Sequence, residues 1–240
     1  MRERLTIPFQ HFGLVNTTED HMDMFTQHLL IKMACGFHVQ ACLDQARIVY
    51  NSYMASGGQQ HIDPELKETI LCAGVAAGGR PEWEYALEMF ERTEDSQVKR
   101  EMISAMACSL DIHILSSYLN STLGENATFA DRYSIAVVLE VTASDTGRAL
   151  AWEFLKNNLK ELRTKHKYFK CRNLATATRK FNRKVDLAEI NTFWTQHCQS
   201  ENRADFESEV VEPIKEKITW WKKYSPSIKS WMIKNGLIRR

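Results

Sequence analysis

Apolar positions along the chain recur at intervals of three and four residues and rarely alternate, so almost every patterned segment predicts helix. Asp63 followed by Pro64 is the signature of an N-cap with proline in the first turn, and it predicts a helix running to about Gly74. Gly78-Gly79 closes that stretch. Pro81 starts another helix, on which Trp83, Leu87 and Phe90 share a face. Ser96 and Asp111 are placed to cap helices carrying Met102, Met106 and Leu110, then Ile114, Tyr118 and Leu119. Ser144 or Asp145 begins a helix with Leu150, Phe154 and Leu155 on its apolar stripe. Ser225-Pro226 is expected to open the last helix, whose apolar face carries Ile228, Trp231 and Met232. Trp83, Trp152, Trp220 and Trp231 each have apolar or aromatic neighbours one helical turn away, which predicts core positions for all four. No strand-period run bounded by hairpin turns stands out.

Candidate helix pairs start near residues 20, 64, 96, 131, 169 and 204. That recurrence of roughly 32 to 44 residues lies in the range of helix-pair solenoids. The tetratricopeptide and ankyrin consensus residues are absent. The expected fold is therefore all-α, an irregular α-solenoid of antiparallel helix pairs of HEAT or armadillo type. Residues 1–240 contain no low-complexity segment or interior linker and read as one domain.

Composition changes this picture little. The 240 residues are 44% hydrophobic and 25% charged, ordinary globular values. A net charge of +1 removes the usual electrostatic argument for nucleic acid as a partner. The basic stretches Lys165-His166-Lys167-Tyr168-Phe169-Lys170 and Lys222-Lys223 read as solvated helix faces. No run approaches the roughly 18 apolar residues of a membrane span, so direct membrane insertion by this segment is not expected. The strongest apolar stretch, Ile135 to Val141, is interrupted by Glu140.

The six cysteines say more. Cys35 and Cys42 bracket a short junction between two helical patterns, while Cys72 and Cys108 are separated by a full helical pattern. Neither pair has the tight clustering of a zinc site, so both read as structural disulfides, one closing a loop and one stapling helices. Cys171 and Cys198 have no close partner in sequence and are expected as buried free thiols. Stable disulfides imply an oxidising compartment. Sequons at Asn16, Asn120 and Asn126 fit the same setting as candidate glycosylation sites. Yet Met1 to Leu5 has no signal-peptide character. The expectation is that these residues end a longer chain whose signal or anchor lies upstream.

Several segments resemble the C-terminal domain of the aminopeptidase N and endoplasmic reticulum aminopeptidase family. They are Pro8-Phe9-Gln10-His11-Phe12, the Cys35/Cys42 segment, and Cys72 leading into Gly78-Gly79-Arg80-Pro81-Glu82-Trp83-Glu84-Tyr85-Ala86-Leu87-Glu88-Met89-Phe90. Ala107-Cys108-Ser109 running into Ile114 to Leu119, Thr178-Arg179-Lys180-Phe181, and Ile218 to Trp231 match further on, in the right order. The G-G-x-x-E-W-x-x-A-x-x-x-F block and the cysteine placement are the most specific parts.

The resemblance implies a zinc metallopeptidase that trims single residues from peptide N-termini, on the extracellular face of the plasma membrane or in the secretory lumen. It implies that this portion is the later part of a bowl-shaped helical domain covering the active site, without its opening helices. Its partners would be the missing catalytic domain and, in the parent enzyme, a peptide substrate. In relatives the domain lends a few polar side chains to the peptide cavity, which makes Arg172, Asn173 and Arg179 substrate-cavity candidates.

The zinc chemistry itself is not expected here. It needs two histidines one helical turn apart with a glutamate beside them and a second, distant glutamate. None of the eight histidines begins an H-E-x-x-H, and the family's G-x-M-E-N loop for the substrate amine is absent. The pair His197-Cys198 lacks an oriented third group and carries no nucleophile reading. No catalytic residue, metal ligand or cofactor is therefore assigned to this chain; zinc belongs to the parent enzyme. The expected role is a non-catalytic domain that closes the cavity and shapes peptide access. The alternative is a stand-alone α-solenoid binding a peptide or protein on its concave face without chemistry.

Overall fold

Aspartate and asparagine side chains start many of the helices. Asp20, Asp63, Asp95, Asp111 and Asn202 each accept backbone N–H groups of the following turn, which would otherwise be orphaned. The computed structural model describes residues 2–14, 20–124, 127–129, 132–165 and 170–238. Its helices are α1 (Arg2–Phe12), α2 (His21–Gly36), α3 (Gln40–Ala55), α4 (Pro64–Ala77), α5 (Arg80–Arg92), α6 (Ser96–Met106) and α7 (Ile112–Asn120). They continue as α8 (Arg132–Ala143), α9 (Arg148–Lys165), α10 (Leu174–Ala177), α11 (Lys184–His197), α12 (Arg203–Phe206) and α13 (Glu212–Lys234). A 3-10 turn at Cys171–Asn173 precedes α10, and a π turn at Glu207–Val211 joins α12 to α13. Among the described residues there is no strand, so the all-α fold is as expected.

Consecutive helices pack in pairs, α1 on α2, α3 on α4, α5 on α6 and α8 on α9. Alternate helices also touch: α2 lies on α4, α4 on α6, α6 on α8 and α8 on α10. One apolar core runs through the array from Leu5 and Phe9 to Ile214. At its centre Tyr118 packs edge-on against Trp83 at 5.6 Å and Phe129 at 5.1 Å, and its hydroxyl donates to the Ile103 carbonyl at 3.1 Å.

The G-G-x-x-E-W block has a local explanation. The Glu82 carboxylate turns back to accept the Gly79 N–H at 2.8 Å, capping α5 from inside the helix. A Cβ on Gly78 would lie 2.4 Å from the Glu82 carboxyl carbon, so only glycine leaves room for that return.

Ser96 is the first residue of α6 and not its cap, which is Asp95. Three further expectations need correction. The last helix does not open at Ser225-Pro226. Pro213 takes the first-turn position of α13, and Pro226 lies within the helix. There its missing N–H leaves the Lys222 carbonyl unserved, a deficit that water can fill on so exposed a helix. Second, Trp83 and Trp152 are core residues at 8% and 4% exposure, but Trp220 and Trp231 are 51% and 58% exposed. Helix α13 is anchored by Ile214 and leaves its aromatic stripe uncovered, so helical spacing alone misplaced both indoles. Third, Cys171 and Cys198 are not free thiols. They form a disulfide, joining the bridges Cys35–Cys42 and Cys72–Cys108. Helix α11 carries Cys198 back beside the turn that holds Cys171, with their Cα atoms 6.1 Å apart, so a separation of 27 residues hides a spatial neighbour.

Candidate functional site

The alternate stacking of α2, α4, α6 and α8 brings four helices to one cavity of about 470 Å³. Helix α2 contributes Lys32, α4 contributes Glu68 and Cys72, α6 contributes Ser104, the turn after it contributes Cys108, and α8 contributes Glu140. Lys180, beyond α10, also lines it. The Cys72–Cys108 bridge forms part of the wall and fixes α4 to the end of α6. A 2.7 Å ion pair between Lys67 and Glu101 ties the same two helices.

Glu140 is the lining carboxylate whose titration the surroundings disturb upward. Burial pushes its carboxyl above the usual glutamate range, and the negative charge of Glu68 adds to that. The Ser104 hydroxyl, donating at 3.3 Å, and the charge of Arg179 act in the opposite direction. A carboxyl so placed can accept or donate a hydrogen bond toward a polar group entering the cavity. Its signal in the sequence was plain: it is the charged residue inside the most apolar stretch of the chain. Glu68, Ser104 and Lys32 gave no such signal, because each occupies an ordinary polar position on an amphipathic helix.

The three residues singled out as substrate-cavity candidates do not meet in one place. Arg172 lines a separate surface hollow with Lys170, Ser200, Glu201, Asn202 and Asp205, and its guanidinium is 3.9 Å from Glu209. The side-chain oxygen of Asn173 is engaged by the Lys170 N–H at 2.8 Å. Arg179 lies in a groove against α13. Asn120 is exposed at the end of α7; Asn16 and Asn126 lie outside the described residues.

Among the described residues, no three His, Cys, Asp or Glu side chains converge as a metal site would require. Cys198, bridged to Cys171, cannot act as a thiolate beside His197. No helix of the described chain is long and apolar enough to cross a membrane.

Comparison with known proteins identifies the family. Residues 1–218 match the family model described as the ERAP1-like C-terminal domain. The chain is 27% identical to Aminopeptidase N of Canis lupus familiaris over 247 residues, covering 98% of this chain and 25% of that protein. It is 25% identical to the Homo sapiens Aminopeptidase N over 248 residues, again covering 98% of this chain and 25% of that protein. Similarity extends to the Thyrotropin-releasing hormone-degrading ectoenzyme of Mus musculus, at 25% identity over 92% of this chain and 20% of that protein. The chain thus spans a quarter or less of the length of these relatives, and that portion is their C-terminal-domain counterpart. With a family match over residues 1–218, the chain belongs to the ERAP1-like C-terminal domain family.

Proposed function

We propose that this chain is the non-catalytic C-terminal domain, without its opening helices, of a zinc aminopeptidase that trims peptide N-termini. Its solenoid, curved into a bowl, covers the active-site cavity and limits which peptides reach the zinc. The observation that carries this reading is the wall built by α2, α4, α6 and α8, which gathers polar side chains and the half-buried Glu140 carboxyl onto one face of a domain lacking the zinc motif. In such an assembly zinc, the catalytic glutamate and the grip on the substrate amine reside in the catalytic domain. The helical wall supplies shape and charge. The parent works outside the cell or in the secretory lumen, where the disulfides are stable. Glycans at Asn16, Asn120 and Asn126 would belong to that setting.

Two measurements test the proposal. The purified chain is assayed for metal content and for hydrolysis of aminoacyl chromogenic substrates; no turnover and no stoichiometric zinc is the expected result. One equivalent of zinc with chelator-sensitive turnover would sink it. The catalytic portion of an aminopeptidase N is then assayed with and without this domain on peptides of graded length. Length dependence should appear only when the domain is present.

A further inference from the structure

Beyond its first two turns α13 leaves the body of the protein. Ile214 is its buried anchor, and from Thr219 to Trp231 every position except the half-buried Ser225 is exposed. That arm has two distinct faces. Trp220, Tyr224, Ile228 and Trp231 follow one another at spacings of four, four and three, and Trp221 precedes Ile228 by seven. The five therefore share an arc of about 100° on the helix surface. They are 38% to 58% exposed. The ring of Trp220 stands 5.4 Å from that of Tyr224 and 6.3 Å from that of Trp221, so the stripe begins as a joined aromatic surface.

Lysines border the stripe on both sides. Helical spacing puts Lys222 and Lys229 along one edge and Lys223 and Lys234 along the other, and no Asp or Glu follows Glu216 in the sequence. Among the described residues α13 makes its ion pairs in its first turn, where Lys215 meets Glu207 and Glu212; the four bordering lysines have no carboxylate partner. The Lys223 ammonium lies 5.1 Å from the centre of the Tyr224 ring, at the aromatic border. Thr219, Pro226 and Ser230 occupy the opposite side of the helix. The Lys222 carbonyl that Pro226 leaves unserved lies on that side, where water reaches it.

We propose that this arm docks the chain on the surface of a bilayer that carries anionic lipid. Helix α13 is not apolar enough to cross a membrane, but a tryptophan-rich stripe edged by lysines fits a helix lying in the interface plane. The indole and phenol rings enter the headgroup region, the ammonium groups reach lipid phosphates and carboxylates along both edges, and the Pro226 side faces water. Charge selects this occupant. A second copy of the arm would bring unpaired lysines against their own kind. Nucleic acid needs a continuous basic track, and here five apolar side chains divide the cations into two rows. The proposal is independent of the function proposed above, because the binding is measured on the 240-residue chain without any peptidase.

Cosedimentation uses vesicles of phosphatidylcholine, with and without phosphatidylserine, and tryptophan emission is recorded on the same samples. The chain should bind the mixed vesicles at least about tenfold more tightly than the neutral ones, with a blue shift of emission and weakening by salt. Lys222→Glu/Lys229→Glu should reduce binding to the mixed vesicles about tenfold or more and flatten its salt dependence. Trp221→Ala/Trp231→Ala should weaken binding and diminish the blue shift while the salt dependence persists. Phe25→Glu/Leu29→Lys, which alters exposed apolar residues of α2 without changing net charge, should retain both binding and shift. The four arm positions are exposed, and circular dichroism verifies the fold of each variant. No vesicle binding, equal affinity for both vesicle types, binding without a blue shift, or loss of binding only in the α2 variant would overturn the proposal. Binding to heparin but not to vesicles would overturn it too, assigning the lysines to a soluble polyanion.

Discussion

The hydroxyl of Tyr50 donates to the backbone carbonyl of Glu82 at 3.0 Å, tying α3 to the first turn of α5 across 32 residues. The ring is fully buried, and burial raises its hydroxyl above the usual tyrosine range. Gly74 of α4 lies flat against it; a Cβ there would be 2.5 Å from the ring. The same few residues thus join three helices beneath the wall of the cavity.

Tyr50→Phe leaves the Glu82 carbonyl buried without that donor and should cost about 1 kcal/mol. Gly74→Ala is a sterner test. Alanine in a helix interior gains about 1 kcal/mol over glycine, while overpacking a core costs about 1–3 kcal/mol. The Tyr50 ring is hydrogen-bonded and cannot retreat, so a net loss is expected. Urea denaturation should show both variants destabilised. A more stable Gly74→Ala would mean that the helices are not in this close contact.

Non-reducing peptide mapping should recover all three bridges, including Cys171 with Cys198. Under the chain-entropy treatment, closing the loop of Cys35–Cys42 is worth roughly 2.5 kcal/mol, and closing that of Cys171–Cys198 roughly 3.5 kcal/mol. Replacing Cys198 by serine should therefore destabilise the chain more than replacing Cys42. Alkylation of Cys171 and Cys198 in unreduced native-source protein would contradict the third bridge.

Glu140 predicts a stability gain. Its folded pKa is raised, so the folded state holds the proton more tightly than the unfolded state does. Stability from this group is present below the ordinary glutamate value of 4.5 and is lost as pH rises through the higher folded value. Glu140→Gln should accordingly raise the melting temperature at pH 7 and change it little at pH 4. Equal effects at both values would mean the carboxyl is not held in a desolvated site.

Asp186 runs the other way. Burial raises its pKa, but hydrogen bonds from the Arg183 side chain and from the backbone N–H groups of Arg183 and Asn182 outweigh that and hold it low. A depressed folded pKa contributes stability above the unfolded value near 3.8, lost as pH falls through the folded one. Asp186→Asn should destabilise at pH 7 and remove part of the acid dependence. Comparing acid titrations of the two proteins by circular dichroism provides the check.

Helix existence was legible because it depends on local chemistry. Asp63-Pro64, Asp111 and Gly78-Gly79 announced their boundaries through capping and backbone freedom, and the helix starts near 20, 64 and 96 fall at His21, Pro64 and Ser96. What covers a face was not legible. Trp152 and Trp220 carry the same spacing, yet one is core and the other open, because coverage depends on which helix comes back over it. The same limit hid the partner of Cys171 and scattered Arg172, Asn173 and Arg179 over separate surfaces. Glu140 lies between these cases: its apolar surroundings betrayed it, but not the Ser104 and Glu68 side chains that three-dimensional stacking sets beside it.

Met22, Phe25, Leu29 and Met33 form one stripe along α2 at spacings of three and four, and all are exposed, Met22 at 71% and Phe25 at 64%. Ile7 of α1 is exposed too, at 75%, whereas the outer face of a terminal repeat in a free-standing helical array is normally polar. An exposed apolar stripe of this kind marks an interaction surface. Among the described residues nothing covers this stripe. The isolated chain should therefore self-associate, with sedimentation velocity showing a concentration-dependent shift. Phe25→Glu/Leu29→Lys should abolish the shift, while changing stability by no more than about 0.5 kcal/mol per site because neither side chain is in the core. A monomeric wild-type chain at high concentration, or loss of folding in the double variant, would show that this stripe is not an interface awaiting a partner.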